Sequence, residues 1–369
     1  MLTVGHHDII SYVMIGKPTT ICYFGIYRPT APRDRVYLEG LKKRGIQVGE
    51  CVDSSPGLLK FFRLVKKHRI LKGHYDILWV GYLSTMVVPL AWLLRGKFIV
   101  FNALDSWYDR AIRDRVMYSR FSPIAWAIWF CDFLAFHLAD VVLLESESQK
   151  KFIATQFKVE SSKLKVIYTG ADTDVFFPDP QIKKLQRFTV VFRGMFLPAT
   201  GVEYVIEAAK LLRHEPIDFI IIGWGPLLEK VKRLISENRM TNITLMSEFL
   251  EPKALRELIL SCHVMVGQFA NHPRMERTIQ HKTFEALALG MPYITRDSTS
   301  NRELLTDGVN CLFVSPANPQ AIAEKIMLLK NHEVLRESLA KNAKVTYAKN
   351  CSADVLIVPI LKLFESFKI

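Results

Sequence analysis

The chain has 369 residues, 50% of them hydrophobic, and a formal net charge of +13. At roughly 100–200 residues per domain, this length predicts two domains with packed cores, and no uncharged run reaches the roughly 18 residues that cross a bilayer. The basic excess points to an anionic partner, whether nucleic acid, membrane surface or substrate, while six scattered cysteines offer neither a CxxC nor a Cys/His cluster and fit reduced thiols in the cytoplasm.

Residues 1–16 read as an N-terminal extension; they lack the basic segment and clean apolar run of a secretory signal. Beyond them, apolar stretches of strand length alternate with segments of helical period. Strands are predicted at 19–24, 75–81, 97–102, 140–145 and 163–168, and helices at 33–44, 57–72 and 122–138. Such alternation builds βα units on a parallel sheet. The stretch TGADTDVFFPDPQIKKLQR, 169–187, breaks the rhythm with Gly, Pro and Asp and reads as a linker. Strands then resume at 188–194, 217–223, 242–247, 263–269, 292–296 and 311–314. Helices are expected at 201–213, 226–238, 252–261 and 281–290, and again from 317 onward. The expected fold is therefore two doubly wound α/β domains, 17–180 and 181–349, with 350–369 packing back on the first. Ligands of such sheets bind outside the carboxyl ends of the strands.

Four stretches stand out on that frame. In LLKFFRLVKKHRILKGHY, 58–75, basic and apolar residues alternate at helical spacing. Such a helix can lie on an anionic membrane, or it can be a crossover helix with a solvated basic face. The segment 121–139 is unusually aromatic and reads as a second contact or as a buried helix. The loop 25–35 carries Arg28, Arg33 and Arg35, which suit an anionic acceptor or a solvated loop. Asp105 follows a strand directly, where it can orient an acceptor hydroxyl or cap a helix. The helix 281–290 opens with Lys282, Thr283 and Glu285. A helix N-terminus attracts phosphate, Lys282 adds a full charge, and a carboxylate one turn on can accept from vicinal hydroxyls. A plain surface Lys–Glu pair is the alternative.

The order of motifs settles on one family. FEALALGMPYIT (284–295) is followed by Glu303, Asp307-Gly308-Val309-Asn310 and Leu312-Phe313-Val314; before it come GADTDVFFP (170–178), RGMFLPATG (193–201) and IIGWGPLLEKV (221–231). Together they resemble glycosyltransferase family 4. The resemblance implies the GT-B fold, two Rossmann-like domains flanking a cleft. It implies a retaining transfer from a nucleoside-diphosphate-sugar to a hydroxyl acceptor, with no cofactor and no metal. Asp172-Thr173-Asp174 matches DxD but lies in the linker signature. Donor contacts carry over to Arg193, Gly194, Gly223, Gly225, Arg274, Lys282, Thr283 and Glu285. Acceptor contacts carry over to Arg28, Arg33 and Asp105, and catalytic roles to Asp105 and Arg277. Arg277 stands where the family often has Glu, and Met195 and Thr200 stand where it often has cations. A binding subunit without turnover is therefore the alternative, with a sugar-nucleotide epimerase behind it. Nucleic acid is not an expected partner, because no helix-turn-helix, zinc or RNP-like motif is present. The expected acceptor is a glycan, lipid-linked saccharide or glycolipid at the inner membrane face, where 58–75 docks.

Overall fold

A computed structural model describes residues 19–27, 32–95 and 97–367; the expected extension 1–16 and Arg28 lie outside these. The first sheet comprises β1 (Thr20–Gly25), β2 (Gln47–Val52), β3 (Ile77–Val80), β4 (Phe98–Leu104), β5 (Val141–Leu144) and β6 (Leu164–Val166). Its order is β2-β1-β3-β4-β5-β6, and every pairing is parallel. The second comprises β7 (Phe188–Arg193), β8 (Ile217–Ile222), β9 (Ile243–Met246), β10 (Val264–Val266), β11 (Tyr293–Arg296) and β12 (Leu312–Val314). Its order is β12-β11-β10-β7-β8-β9, again all parallel. Strands such as ILWV (77–80) are buried on both faces, which is why they read as unbroken apolar runs rather than alternating ones. The strand order reverses beside β1 in one sheet and beside β7 in the other. A crevice therefore opens at the carboxyl ends of β1/β3 and of β7/β10.

Each sheet is covered on both sides. In the first domain, α2 (Leu59–Leu71), α3 (Val88–Leu94), α4 (Pro123–Leu138) and α5 (Glu147–Phe157) share one face, joined through Leu64, Ala91, Phe136 and Phe157. The opposite face holds α1 (Pro32–Lys43) and α12 (Ala353–Ser366), where Tyr37 and Leu41 meet Ile357, Ile360 and Phe364 over Tyr23 and Trp79. In the second domain, α6 (Val202–Leu211), α7 (Leu228–Glu237) and α10 (Pro319–Asn331) lie on one side. On the other lie α8 (Pro252–Ser261), α9 (His281–Leu289) and α11 (Glu333–Asn350). The chain between β6 and β7 forms no helix or strand. Its Asp172 and Asp174 pair with Arg35 of α1 at 2.7 and 3.2 Å, so the DxD carboxylates face an arginine of the first domain.

α2 touches the core chiefly through Leu64 and His68. Its Leu59, Phe62 and Ile70 face outward, Phe62 being 74% exposed. On the same side of the sheet, Phe121, Ile124, Trp126 and Phe130 project from α4 and the turn before it. Among the described residues, no helix is long and apolar enough to cross a membrane.

Candidate functional site

The second domain contributes a cradle at the carboxyl ends of β7 and β8. The loops after these strands run backbone to backbone. A Cβ on Gly223 would collide with the carbonyl oxygen of Gly194, and one on Gly225 would lie 2.8 Å from that of Phe196. Only glycine permits that approach. A Cβ on Gly194 would sit 2.9 Å from Lys282 Nζ, so the first turn of α9 is pressed against this loop. Lys282 is only 4% exposed. Its Nζ lies 3.8 Å from the centre of the Phe192 ring and has no hydrogen-bond acceptor among the described residues. Burial, reinforced by Arg193, holds its pKa well below that of an ordinary ammonium. One turn on, both oxygens of Glu285 accept from Arg193 Nη1 at 2.7 and 2.6 Å. Arg193, Gly194, Gly223, Gly225, Lys282 and Glu285 thus come together as expected positions of one site. Thr283 does not join them. It points to the underside of α9 and its hydroxyl is committed to Tyr293 at 3.0 Å, because a neighbour in a helix is turned about 100° away.

The first domain contributes the turn after β4. The strand is irregular between Asn102 and Leu104, and Leu104 adopts φ 64°, which ends the strand and projects Asp105 into the cleft. Asp132 of α4 then secures the turn by accepting from Ser106 Oγ at 2.5 Å and from the N–H groups of Trp107 and Tyr108 at 3.1 and 2.8 Å. Next comes a π-helical turn, Asp109–Asp114, a rare element that recurs at functional sites.

Charges from the two halves interlock across the cleft. Asp105 accepts from Arg110 at 2.7 Å and from Arg274 at 2.6 Å. Arg274 also reaches Asp114 at 2.6 Å. Arg277 binds Asp109 at 2.8 Å and lies 4.0 Å over the ring of Phe152. Asp105 is therefore no helix cap; Ser106 performs that service for the following turn. Arg274 and Arg277 stand on the cleft but are committed to carboxylates of the first domain, which corrects the expectation of Arg274 on the diphosphate. Ser146 Oγ donates to the carbonyl of Arg277 at 2.5 Å. Glu303 caps α5 from the opposite domain, accepting from the N–H groups of Glu147 and Ser148 at 2.7 and 2.9 Å.

Arg33 requires a further correction. Helix α1 begins at Pro32, so Arg33 falls on its inward face and is 0% exposed. It donates to Asn102 Oδ1 at 2.7 Å, to Ile167 O at 3.0 Å, to Thr169 Oγ1 at 2.9 Å and to Leu144 O at 3.2 Å. It ties the ends of β4, β5 and β6 together and has no face left for an acceptor.

Two residues at the cleft were not singled out from sequence. His281 opens α9, and burial together with Arg193 and Arg33 pushes its ring down to about 4, so it is neutral at pH 7. Glu145 follows β5 directly, the same position relative to a strand that drew attention to Asp105. It accepts from Thr169 at 2.6 Å. Burial pushes its carboxyl from the ordinary 4.5 up to about 7, with Arg33 opposing. Between those values the folded chain holds a proton that the unfolded chain has lost, so stability falls as pH rises through this window. The variant Glu145→Gln removes the slope. Its melting temperature relative to the parent is expected to be higher at pH 8 than at pH 5, and a difference independent of pH would contradict the assignment.

Residues 176–346 match the family model "Glycosyl transferases group 1". An uncharacterized glycosyltransferase of Methanocaldococcus jannaschii is 26% identical over 200 residues, 54% of this chain and 53% of the relative. A capsular polysaccharide biosynthesis glycosyltransferase of Staphylococcus aureus is 22% identical over 258 residues, 65% of each. The chain thus spans between half and two thirds of the length of these relatives. The crystal structure of Anabaena Alr3699/HepE in complex with UDP superposes with a TM-score of 0.71 at 16% identity, covering 94% of this chain and all of that one. Residues 176–346 thus align with the glycosyl transferases group 1 family, within a chain that has the GT-B fold of two Rossmann-like domains.

Proposed function

We propose that this chain is a retaining glycosyltransferase that moves a sugar from a nucleoside-diphosphate-sugar to the hydroxyl of a lipid-linked saccharide, glycan or glycolipid. The observation that carries the reading is Lys282: a buried amine without a hydrogen-bond acceptor, beside Gly194 and at the first turn of a helix. A diphosphate over Gly194 supplies that acceptor, and the amine then holds its proton. Arg193 adds a second cation, and the helix dipole adds a partial one. Glu285, held in place by Arg193, accepts from the ribose hydroxyls. As the glycosidic bond to the diphosphate breaks, the growing charge on the leaving oxygen is stabilised by these fixed groups. The acceptor oxygen bonds to the anomeric carbon on the same face, and its proton passes to the departing phosphate oxygen. Asp105 orients the acceptor hydroxyl, since each of its oxygens keeps a lone pair beyond its arginine. The similar structure solved in complex with UDP supports a nucleotide as a ligand. The outward Leu59, Phe62 and Ile70 among the lysines and arginines of α2 support docking on an anionic membrane.

The test is thermal unfolding with UDP, GDP, ADP and CMP in turn. A nucleotide present at about 100 times its dissociation constant adds roughly 2.7 kcal/mol. One of the four is expected to raise the transition clearly, and Glu285→Ala to remove the shift. No response to any nucleotide would sink the donor reading and favour a binding subunit without turnover.

A further inference from the structure

The meeting of the two domains leaves a cavity of about 440 Å³ that the donor reading does not use. Its wall includes Asp109, Ile112, Arg113 and Arg120 of the first domain and Arg274 and Arg277 of the second. Those are four guanidinium groups against one carboxylate. Arg277 already takes Asp109 at 2.8 Å, while Arg113 stands 3.7 Å from it. Arg274 spends its two terminal nitrogens on Asp105 and Asp114. The Nε atoms of Arg274 and Arg277 are buried and have no acceptor among the described residues. Arg120 makes no ion pair among the described residues; its guanidinium rests 4.7 Å from the centre of the Phe121 ring. Asp109 and Asp114 each also keep a buried oxygen without a partner among the described residues, so what suits the wall to an anion is the surplus of guanidinium groups, Arg120 above all.

The turn that brings Arg120 into the cavity wall is apolar on its exposed side. Val116, Met117 and Phe121 stand outward on the turn that carries Arg120, Phe121 being 74% exposed, and Trp126 follows one turn into α4. Val116 is held there with φ 49°, a conformation that a β-branched residue adopts only under constraint. The N–H of Met117 donates to the carbonyl of Ala111 at 2.9 Å and ties the turn to the π-helical segment. Arginines in the wall and bare aliphatic and aromatic side chains on the adjoining turn complement a molecule with a compact anionic head and an apolar remainder.

We infer that this cavity binds a phosphate ester carried by the acceptor, with the acceptor's apolar part lying along residues 116–126. That it belongs to the acceptor rests on the glycosyltransferase reading; that it binds such an anion does not. It also gives Arg274 and Arg277 a ligand on the acceptor side, where the family resemblance had put Arg274 beside the donor and given Arg277 a catalytic role.

The full chain is titrated calorimetrically with monomeric dihexanoyl phosphatidic acid, dihexanoyl phosphatidylcholine and inorganic phosphate, and UDP-dependent unfolding is followed in parallel. Arg113 and Arg120 are exposed enough to change without loss of folding, so the variant is Arg113→Ala/Arg120→Ala. Phosphatidic acid is expected to bind the parent, and the variant about ten- to a hundredfold more weakly, the value of one or two charge-assisted hydrogen bonds. Phosphatidylcholine and inorganic phosphate are each expected to bind more weakly than phosphatidic acid. Equal binding of phosphatidic acid to parent and variant, or equal binding of the two lipids, overturns the anion pocket. Inorganic phosphate binding as tightly as phosphatidic acid overturns the apolar rim. Any UDP response should survive in the variant. A parent that binds phosphatidic acid but responds to no nucleotide overturns the donor reading and leaves the pocket standing.

Discussion

Lys282→Met is expected to make the chain more stable without nucleotide and unable to respond to it. The two effects have one cause. In the free protein the amine is enclosed by Phe192, Gly194 and the first turn of α9, with no hydrogen-bond acceptor among the described residues. Leaving such a group unmade costs about 1–3 kcal/mol, and methionine fills nearly the same volume over the ring without that cost. With nucleotide bound, the same amine donates to a phosphate oxygen, an interaction of about 1.5–3 kcal/mol or roughly ten- to a hundredfold in affinity. Methionine forfeits all of it. Thermal unfolding with and without the nucleotide that stabilises the parent measures both signs at once. A less stable variant in the absence of nucleotide would show Lys282 to be a structural cation and would remove the central support of the donor site.

A second large effect is expected at Arg33. In Arg33→Met the side-chain oxygens of Asn102 and Thr169 lose their donor, and the carbonyls of Leu144 and Ile167 lose one of two, keeping the N–H of Ile167 and the hydroxyl of Tyr37. Glu145 also loses the cation that opposes its burial. Removing one member of a buried charged network typically costs about 3–5 kcal/mol. For a domain of this size that lowers the melting temperature by roughly 6–20 °C. An acceptor-binding arginine would behave differently, losing affinity with little change in melting. A melting temperature unchanged by the substitution would thus restore the loop reading of 25–35 that the structure argues against.

Much of the architecture was legible because each inner strand is buried on both faces and so spells itself as an apolar run. The edge strand β2 is the exception. QVGECV lies half-exposed beside β1 only, and Gly49 and Glu50 interrupt any run or alternation. The cradle after β7 and β8 was legible for a local reason: glycines follow strands, and Lys282 and Glu285 are one helical turn apart. Arg193 was named with them, but its pairing with Glu285 joins residues 92 positions apart. The first domain's side of the cleft was legible only at Asp105. Its partner Arg274 is 169 positions away, and a π-helical turn such as 109–114 has no spacing signature to betray it. The arginines of 25–35 misled because a residue's charge says nothing of helix phase. One residue into α1, Arg33 turns inward instead of facing the cleft.

The crossing of α12 onto the first domain has a consequence for synthesis on the ribosome. Leu356, Ile357, Ile360, Leu361 and Phe364 cover one side of the first sheet, yet they emerge only after the whole second domain. At about 5–20 residues per second, the stretch between 180 and 353 takes roughly 10–35 s to translate. For that interval the nascent first domain carries an uncovered apolar face around Ile21, Tyr23 and Trp79. The order of manufacture leaves this face open to premature association during synthesis, and it makes truncation within 353–366 an injury to the domain farthest away along the chain.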